Sequence, residues 1–238
     1  MDASLCISLI DLTSLNENDS ETSITALCDK AQTPLGNVAA VCLYLPFVSL
    51  AKSLLKNSHI KIATVVNFPN GDLNLNATLK EIEEAILLGV DEIDLVFPYE
   101  SYFSGEKAAA LSFVKSCREA CKTKTLKVIL ETGAFPNDML IAEVSRSLID
   151  LNVDFLKTST GKIALGATEN AATSMLKAIK DSGNKKVGFK ASGGIRQAKD
   201  ALKYLLIAEK LLGKNWINPS HFRFGASSLL NDILGEKK

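Results

Sequence analysis

The stretch Val153-Asp154-Phe155-Leu156-Lys157-Thr158-Ser159-Thr160-Gly161-Lys162 is a short apolar run that closes on a lysine and opens into a polar turn. Val187-Gly188-Phe189-Lys190-Ala191-Ser192-Gly193-Gly194 repeats the pattern. Both runs read as buried strands, where an ammonium group is costly to place. Working outward, Ile7–Asp11, Ala39–Tyr44, Lys61–Asn67, Glu92–Phe97, Leu126–Glu131 and Phe222–Gly225 read as strands too. With Asp154–Thr158 and Lys186–Lys190 they make eight.

Helical spacing fills the intervals. Leu75, Leu79, Ile82 and Ile86 recur at a period near 3.6, as do Ala110, Phe113, Cys117 and Cys121. Ala172, Met175, Leu176 and Ile179 do the same, followed by Ala198, Leu202, Leu205 and Leu212. Thr168 is placed as an N-cap, and Gly89 and Gly183 mark helix ends. Eight strands alternating with helices in 238 residues predict an α/β fold, a (β/α)8 TIM barrel of typical size ~250 residues. No linker or low-complexity stretch interrupts residues 1–238, so a single domain is expected. A doubly wound open sheet is the competing arrangement. Two features favour the barrel. No GxGxxG follows the first strand, and Asp11, Asn67, Asp94, Glu131, Lys157 and Lys190 lie near the C-terminal ends of strands. A barrel gathers those ends around one mouth, whereas an open sheet spreads them along an edge.

Composition narrows the function. Lysine plus arginine and aspartate plus glutamate both number 27, so no basic excess points to nucleic acid or an acidic membrane surface. The apolar runs fall short of the roughly 18 residues that span a bilayer. Met1-Asp2-Ala3-Ser4-Leu5-Cys6 has neither a positive segment nor a cleavage site, and no signal peptide is expected. Cys6, Cys28, Cys42, Cys117 and Cys121 are odd in number, and Cys117 and Cys121 have helical rather than CxxC spacing. Free thiols and a cytoplasmic location are expected. His59 and His221 are too far apart for a ligand set, so no metal is expected.

Side chains alternate along a strand. If Leu156, Val187 and Phe189 pack against outer helices, Lys157 and Lys190 point into the barrel mouth. Asp94 joins them if Ile93 and Leu95 face outward, while Asp91 and Glu92 read as solvated acids at a strand start. Two amines in one pocket lower each other's pKa, and a neutral amine is the nucleophile of Schiff-base chemistry. Bringing a lysine from ~10.4 to about 7 takes roughly 4–5 kcal/mol of differential destabilisation. Taken singly, either lysine is more readily explained by snorkelling to solvent or by pairing with a carboxylate. Two lysines and an aspartate on neighbouring strands weaken that explanation. Gly193-Gly194 after the seventh strand and Gly225-Ala226-Ser227-Ser228 after the eighth occupy the loops that often hold phosphate in barrels. Each alone is a turn or a cap. Ser159-Thr160-Gly161-Lys162 is no nucleotide P-loop, because Leu156 stands at its first glycine position and Ile163 replaces the Ser/Thr.

Several stretches resemble the deoxyribose-phosphate aldolase family: Asp11-Leu12-Thr13-Ser14-Leu15-Asn16, Asn67-Phe68-Pro69-Asn70-Gly71, Asp91 to Tyr99, Phe155 to Lys162, Val187 to Lys190 and Arg223 to Ser228. The resemblance runs in order from about residue 9 to about residue 230. It implies a class I aldolase that cleaves 2-deoxy-D-ribose 5-phosphate reversibly to acetaldehyde and D-glyceraldehyde 3-phosphate, with no cofactor or metal. It implies Lys157 as the Schiff-base lysine, Lys190 as the neighbouring cation and Asp94 as the proton-transfer group acting with a bound water. Thr160 and Lys162 match positions near the substrate hydroxyl and phosphate end. Gly193, Gly194, Gly225, Ser227 and Ser228 match a phosphate cradle, and Asp11 and Thr13 match pocket-lining residues of the first strand. Cys42 also falls in a matching strand, but a small core residue is the better reading. The expected partner is a small sugar phosphate, with the chain a monomer or homodimer. The family commonly has Pro-Ala where this chain has Ala191-Ser192. Several relatives carry a longer tail ending in a tyrosine, whereas here the sequence ends Gly235-Glu236-Lys237-Lys238; slower or solvent-assisted enamine protonation is expected. Other possibilities are another Schiff-base barrel lyase on a related sugar phosphate, or a non-catalytic barrel that binds one.

Overall fold

The computed structural model describes residues 2–235, and the tail at Glu236, Lys237 and Lys238 lies outside them. Eight parallel strands close into a barrel: β1 (Ile10–Thr13), β2 (Ala40–Leu43), β3 (Lys61–Val66), β4 (Glu92–Val96), β5 (Thr125–Ile129), β6 (Phe155–Lys157), β7 (Gly188–Ser192) and β8 (Phe222–Ala226). Each pairs with its sequence neighbours, and β8 closes on β1 through Ile10↔Phe224 and Asp11↔Gly225. Helices between the strands form the outer layer of this (β/α)8 barrel. None in the described residues is long and apolar enough to cross a membrane.

Most strand ends shift by a residue or two from expectation, and three of the shifts matter for the site. Ile7 lies in a helix, Ala3–Ser8, whose N-cap Asp2 accepts a hydrogen bond from the Ser4 amide. A short apolar run fits helix or strand equally well, and the cap tips it toward helix. β7 runs on past Lys190 to Ser192, because β8 supplies ladder partners up to Gly225↔Ser192. Lys190 therefore sits mid-strand. Glu131 falls beyond β5 with φ 59°, in the left-handed region.

The expected helices form. Thr168 caps Glu169–Ser182 by accepting from the Ala171 amide, and Gly183 ends that helix at φ 66°. Helix Ala198–Leu212 buries Ala201, Tyr204, Leu205 and Ala208, leaving Leu202 exposed. The main hydrophobic core lies between barrel and helices, where Ile10, Leu12, Val41, Leu43, Ile93, Leu95, Leu126, Val128, Leu156, Phe189 and Phe224 face outward. With that side apolar, strand alternation turns the charged residues inward. All five cysteines are free and buried.

Candidate active site

The ladder register decides which inward side chains meet. Lys157 lies beside Lys190, Lys190 beside Arg223, and Asp94 beside Lys127. Asp94 is central. Its Oδ1 accepts from Lys127 Nζ at 2.8 Å, and its Oδ2 accepts from Lys157 Nζ at 2.7 Å and Lys190 Nζ at 2.8 Å. Lys190 also donates to Asp11 Oδ2 at 2.5 Å, and Arg223 Nη1 donates to Asp11 Oδ1 at 2.5 Å. Glu92 completes the network through Lys127 Nζ at 2.6 Å and Arg223 Nη2 at 3.1 Å. Of the four bases, Lys157 alone has one carboxylate partner, which it shares.

Burial and pairing then pull the bases apart. Burial and the charge of Lys190 lower the pKa of Lys157, against the pull of Asp94. Burial opposes the charge on Lys190 too, but Asp11 and Asp94 outweigh it and raise its pKa. Lys127 and Arg223 are likewise held above their ordinary values by carboxylates that overcome burial. Desolvation works against Asp11 and Asp94 as anions, yet the surrounding cations keep both well below the usual carboxylate range.

Above this network lies a cavity of about 330 Å³ whose lining includes Lys157, Thr13, Leu15, Lys162, Ser192 and Arg196. Lys157 belongs to both the network and the lining, so it is the one amine of the network that a ligand meets. Gly193 and Gly194, at φ 86° and 84°, form one wall with their backbone. Residues 5–235 match the family model of the DeoC/LacD family aldolases. The chain belongs to this aldolase family.

Solved structures agree. A Coccidioides immitis protein assigned provisionally as a deoxyribose-phosphate aldolase is 27% identical, with a TM-score of 0.85 over 98% of this chain and 87% of its own. The aldolase QR15 is 26% identical, with a TM-score of 0.82 over 97% and 96%. The tetrameric deoxyribose phosphate aldolase of Aeropyrum pernix is 25% identical, with a TM-score of 0.81 over 98% and 91%.

In this aldolase Thr13, Lys157, Thr160, Lys162, Gly193, Gly194, Gly225 and Ser227 line the cavity, while Asp11, Asp94 and Lys190 lie fully buried beneath it. Ser228 does not line it, and its side chain makes no cap hydrogen bond to the helix Leu229–Leu234. Lys162 Nζ reaches across the mouth to the Leu15 carbonyl at 2.5 Å. The Thr160 hydroxyl donates to Glu131, whose carboxylate also accepts from the Thr160 amide at 3.3 Å. Gly225 has a second role: a Cβ there would come within 3.1 Å of Lys190 Cε and 2.9 Å of Ser192 Cβ. It makes room for the lysine as well as for a ligand.

Three residues of the network escape the sequence reading: Lys127, Arg223 and Glu92. Glu92 is not a solvated acid. It shares the inward face with Asp94, two positions on, and is only 4% exposed. Lys127 sits between Leu126 and Val128, and Arg223 between Phe222 and Phe224. Each repeats the signal of Lys157, a base within an apolar strand. Cys42 is a buried inward residue packed with Leu15, Ala63 and Val65. Burial and Asp94 push its thiol pKa up, which keeps it neutral.

Proposed function

We propose that this aldolase works through a Schiff base on Lys157 and reversibly cleaves 2-deoxy-D-ribose 5-phosphate to acetaldehyde and D-glyceraldehyde 3-phosphate. The observation that carries the proposal is that Lys157 is the one base of the buried network exposed to the cavity and the one with a lowered pKa. Its neutral Nζ adds to the C1 aldehyde of the open-chain sugar, and loss of water leaves an iminium. A base takes the proton of the C3 hydroxyl as the C2–C3 bond breaks, and that electron pair forms the enamine. Protonation at C2 and hydrolysis of the iminium release acetaldehyde and restore the amine. Asp94 Oδ2, bonded to both Lys157 and Lys190, gives protons a path between the two amines.

The Gly193-Gly194 wall, with Ser227 and Arg196 in the same lining, suits a phosphate. Lys162 and Thr160 lie at the same mouth, where they serve the hydroxyl-bearing end of the sugar. The expected setting is the cytoplasm, with a small sugar phosphate as the partner and the chain a monomer or homodimer. Reduction with borohydride in the presence of substrate should leave one adduct, and peptide mapping should place it on Lys157. An adduct on another lysine, or none, would sink the proposal. Comparing acetaldehyde with dihydroxyacetone phosphate as donors separates it from a related Schiff-base lyase, and a single turnover separates it from a non-catalytic barrel.

A further inference from the structure

The buried network has a far end that no ligand in the cavity reaches. Glu92 and Arg223 pair with each other and with Lys127 and Asp11, and neither lines the cavity. Arg223 also stacks over the Phe155 ring, 5.6 Å from its centroid. The titratable groups of the inward layer around Lys157 come from six of the other seven strands. They are Asp11 on β1, Cys42 on β2, Glu92 and Asp94 on β4, Lys127 on β5, Lys190 on β7 and Arg223 on β8. β3 offers only Ala63 and Val65 at this level, and its Lys61 is exposed. Cys42 is neutral. Glu131, also buried, lies beyond β5; its carboxylate hydrogen-bonds Thr160 and feels the charge of Lys157, but it forms no ion pair with a base among the described residues. The ion-paired layer thus sets four bases, Lys127, Lys157, Lys190 and Arg223, against three carboxylates, Asp11, Glu92 and Asp94.

We infer that Glu92 and Arg223 are positioning residues that fix this ratio, so that the surplus positive charge falls on Lys157, the one base with no carboxylate of its own. The inference rests on the Schiff-base proposal above. A layer shut off from water favours balanced charge. Lys127, Lys190 and Arg223 each hold two or more carboxylates, and releasing a proton from any of them would break short ion pairs. Releasing one from Lys157 leaves three bases on three carboxylates. Arg223 is essential to that outcome: without it, Asp11 and Glu92 would turn to the lysines, and no surplus would remain.

The test reads the pH dependence of Lys157 trapping by acetaldehyde and cyanoborohydride, with peptide mapping of the adduct. Glu92→Gln removes a negative charge, disfavours the ammonium and should move the trapping midpoint about one pH unit toward acid. Arg223→Gln removes a positive charge and should move it by a similar amount toward alkali. The double variant restores the surplus of one and should return the midpoint close to that of the wild type, a rescue that a packing role would not produce. Glu131 is unchanged throughout, so its contribution cancels. If Arg223→Gln fails to fold, Glu92→Gln decides alone. An unmoved midpoint in Glu92→Gln, or shifts of the same sign in both single variants, overturns the inference. Absence of an adduct on Lys157 in the wild type instead overturns the Schiff-base proposal.

Discussion

Lys157 and Lys190 are the same residue type on adjacent strands, both buried, and their pKa values move in opposite directions. The cause is ownership of carboxylate oxygens. Lys190 holds Asp11 Oδ2 at 2.5 Å and shares Asp94 Oδ2, whereas Lys157 has only the shared oxygen. Lys190→Leu would therefore leave Asp94 Oδ2 to Lys157 alone and stabilise its ammonium. Schiff-base formation at neutral pH should slow roughly tenfold or more, and its pH profile should move to alkali by about a unit. Stopped-flow measurement of imine formation across pH checks this, and an unchanged profile would contradict it. Lys157, Lys190 and Asp94 are legible from sequence because strand alternation is local. Lys127 and Arg223 carry the same signal, but inspection of strand ends alone passes them by. Glu92 looks like part of an acidic strand start until the alternation that places Asp94 is carried back two residues.

At the scale of elements, β6 and β7 are held together by small residues as much as by the ladder. Gly188 faces inward beside Phe155, and a Cβ there would lie 2.4 Å from the Phe155 ring and 2.8 Å from the His221 carbonyl. Neither atom can retreat easily. Gly188→Ala should cost about 1–3 kcal/mol, the usual penalty of overpacking, read as a lower midpoint in urea unfolding. A midpoint equal to that of the wild type would show that the ring has somewhere to go. Past the end of β6, Ser192 continues the join with its side chain. Its hydroxyl donates to the Ser159 carbonyl at 2.5 Å, and its amide donates to Thr158 Oγ1 at 3.0 Å. Where relatives commonly have Pro-Ala, this chain ties the two strand ends with a hydroxyl. The extra length of β7 was illegible in sequence because it depends on how far β8 runs alongside it.

For the whole molecule, the charged interior ties stability to pH. Asp11 and Asp94 have depressed pKa values when folded, so their contribution is complete above the ordinary carboxylate range and is lost as pH falls through it and beyond. Lys127 and Lys190, with raised values, contribute below the ordinary lysine pKa and lose that contribution as pH rises through their folded values. Lys157 runs the other way, since its folded form resists protonation. The acid limb should thus be steep. Calorimetric Tm should drop sharply below about pH 4, and a Tm unchanged between roughly pH 7 and pH 3 would contradict a carboxylate-dependent interior. The sequence by itself determined the alternation of strands and helices, the inward direction of Lys157, Lys190 and Asp94, and the glycine loops around the mouth, because each depends on periods of a few residues. Only the tertiary structure decided which acid belongs to which base. Asp11 meets Lys190 across 179 residues of chain and Arg223 across 212, pairings that exist only once β8 closes on β1. Closure seals the layer from water, and within it Lys190 holds a second carboxylate, Asp11, that Lys157 lacks.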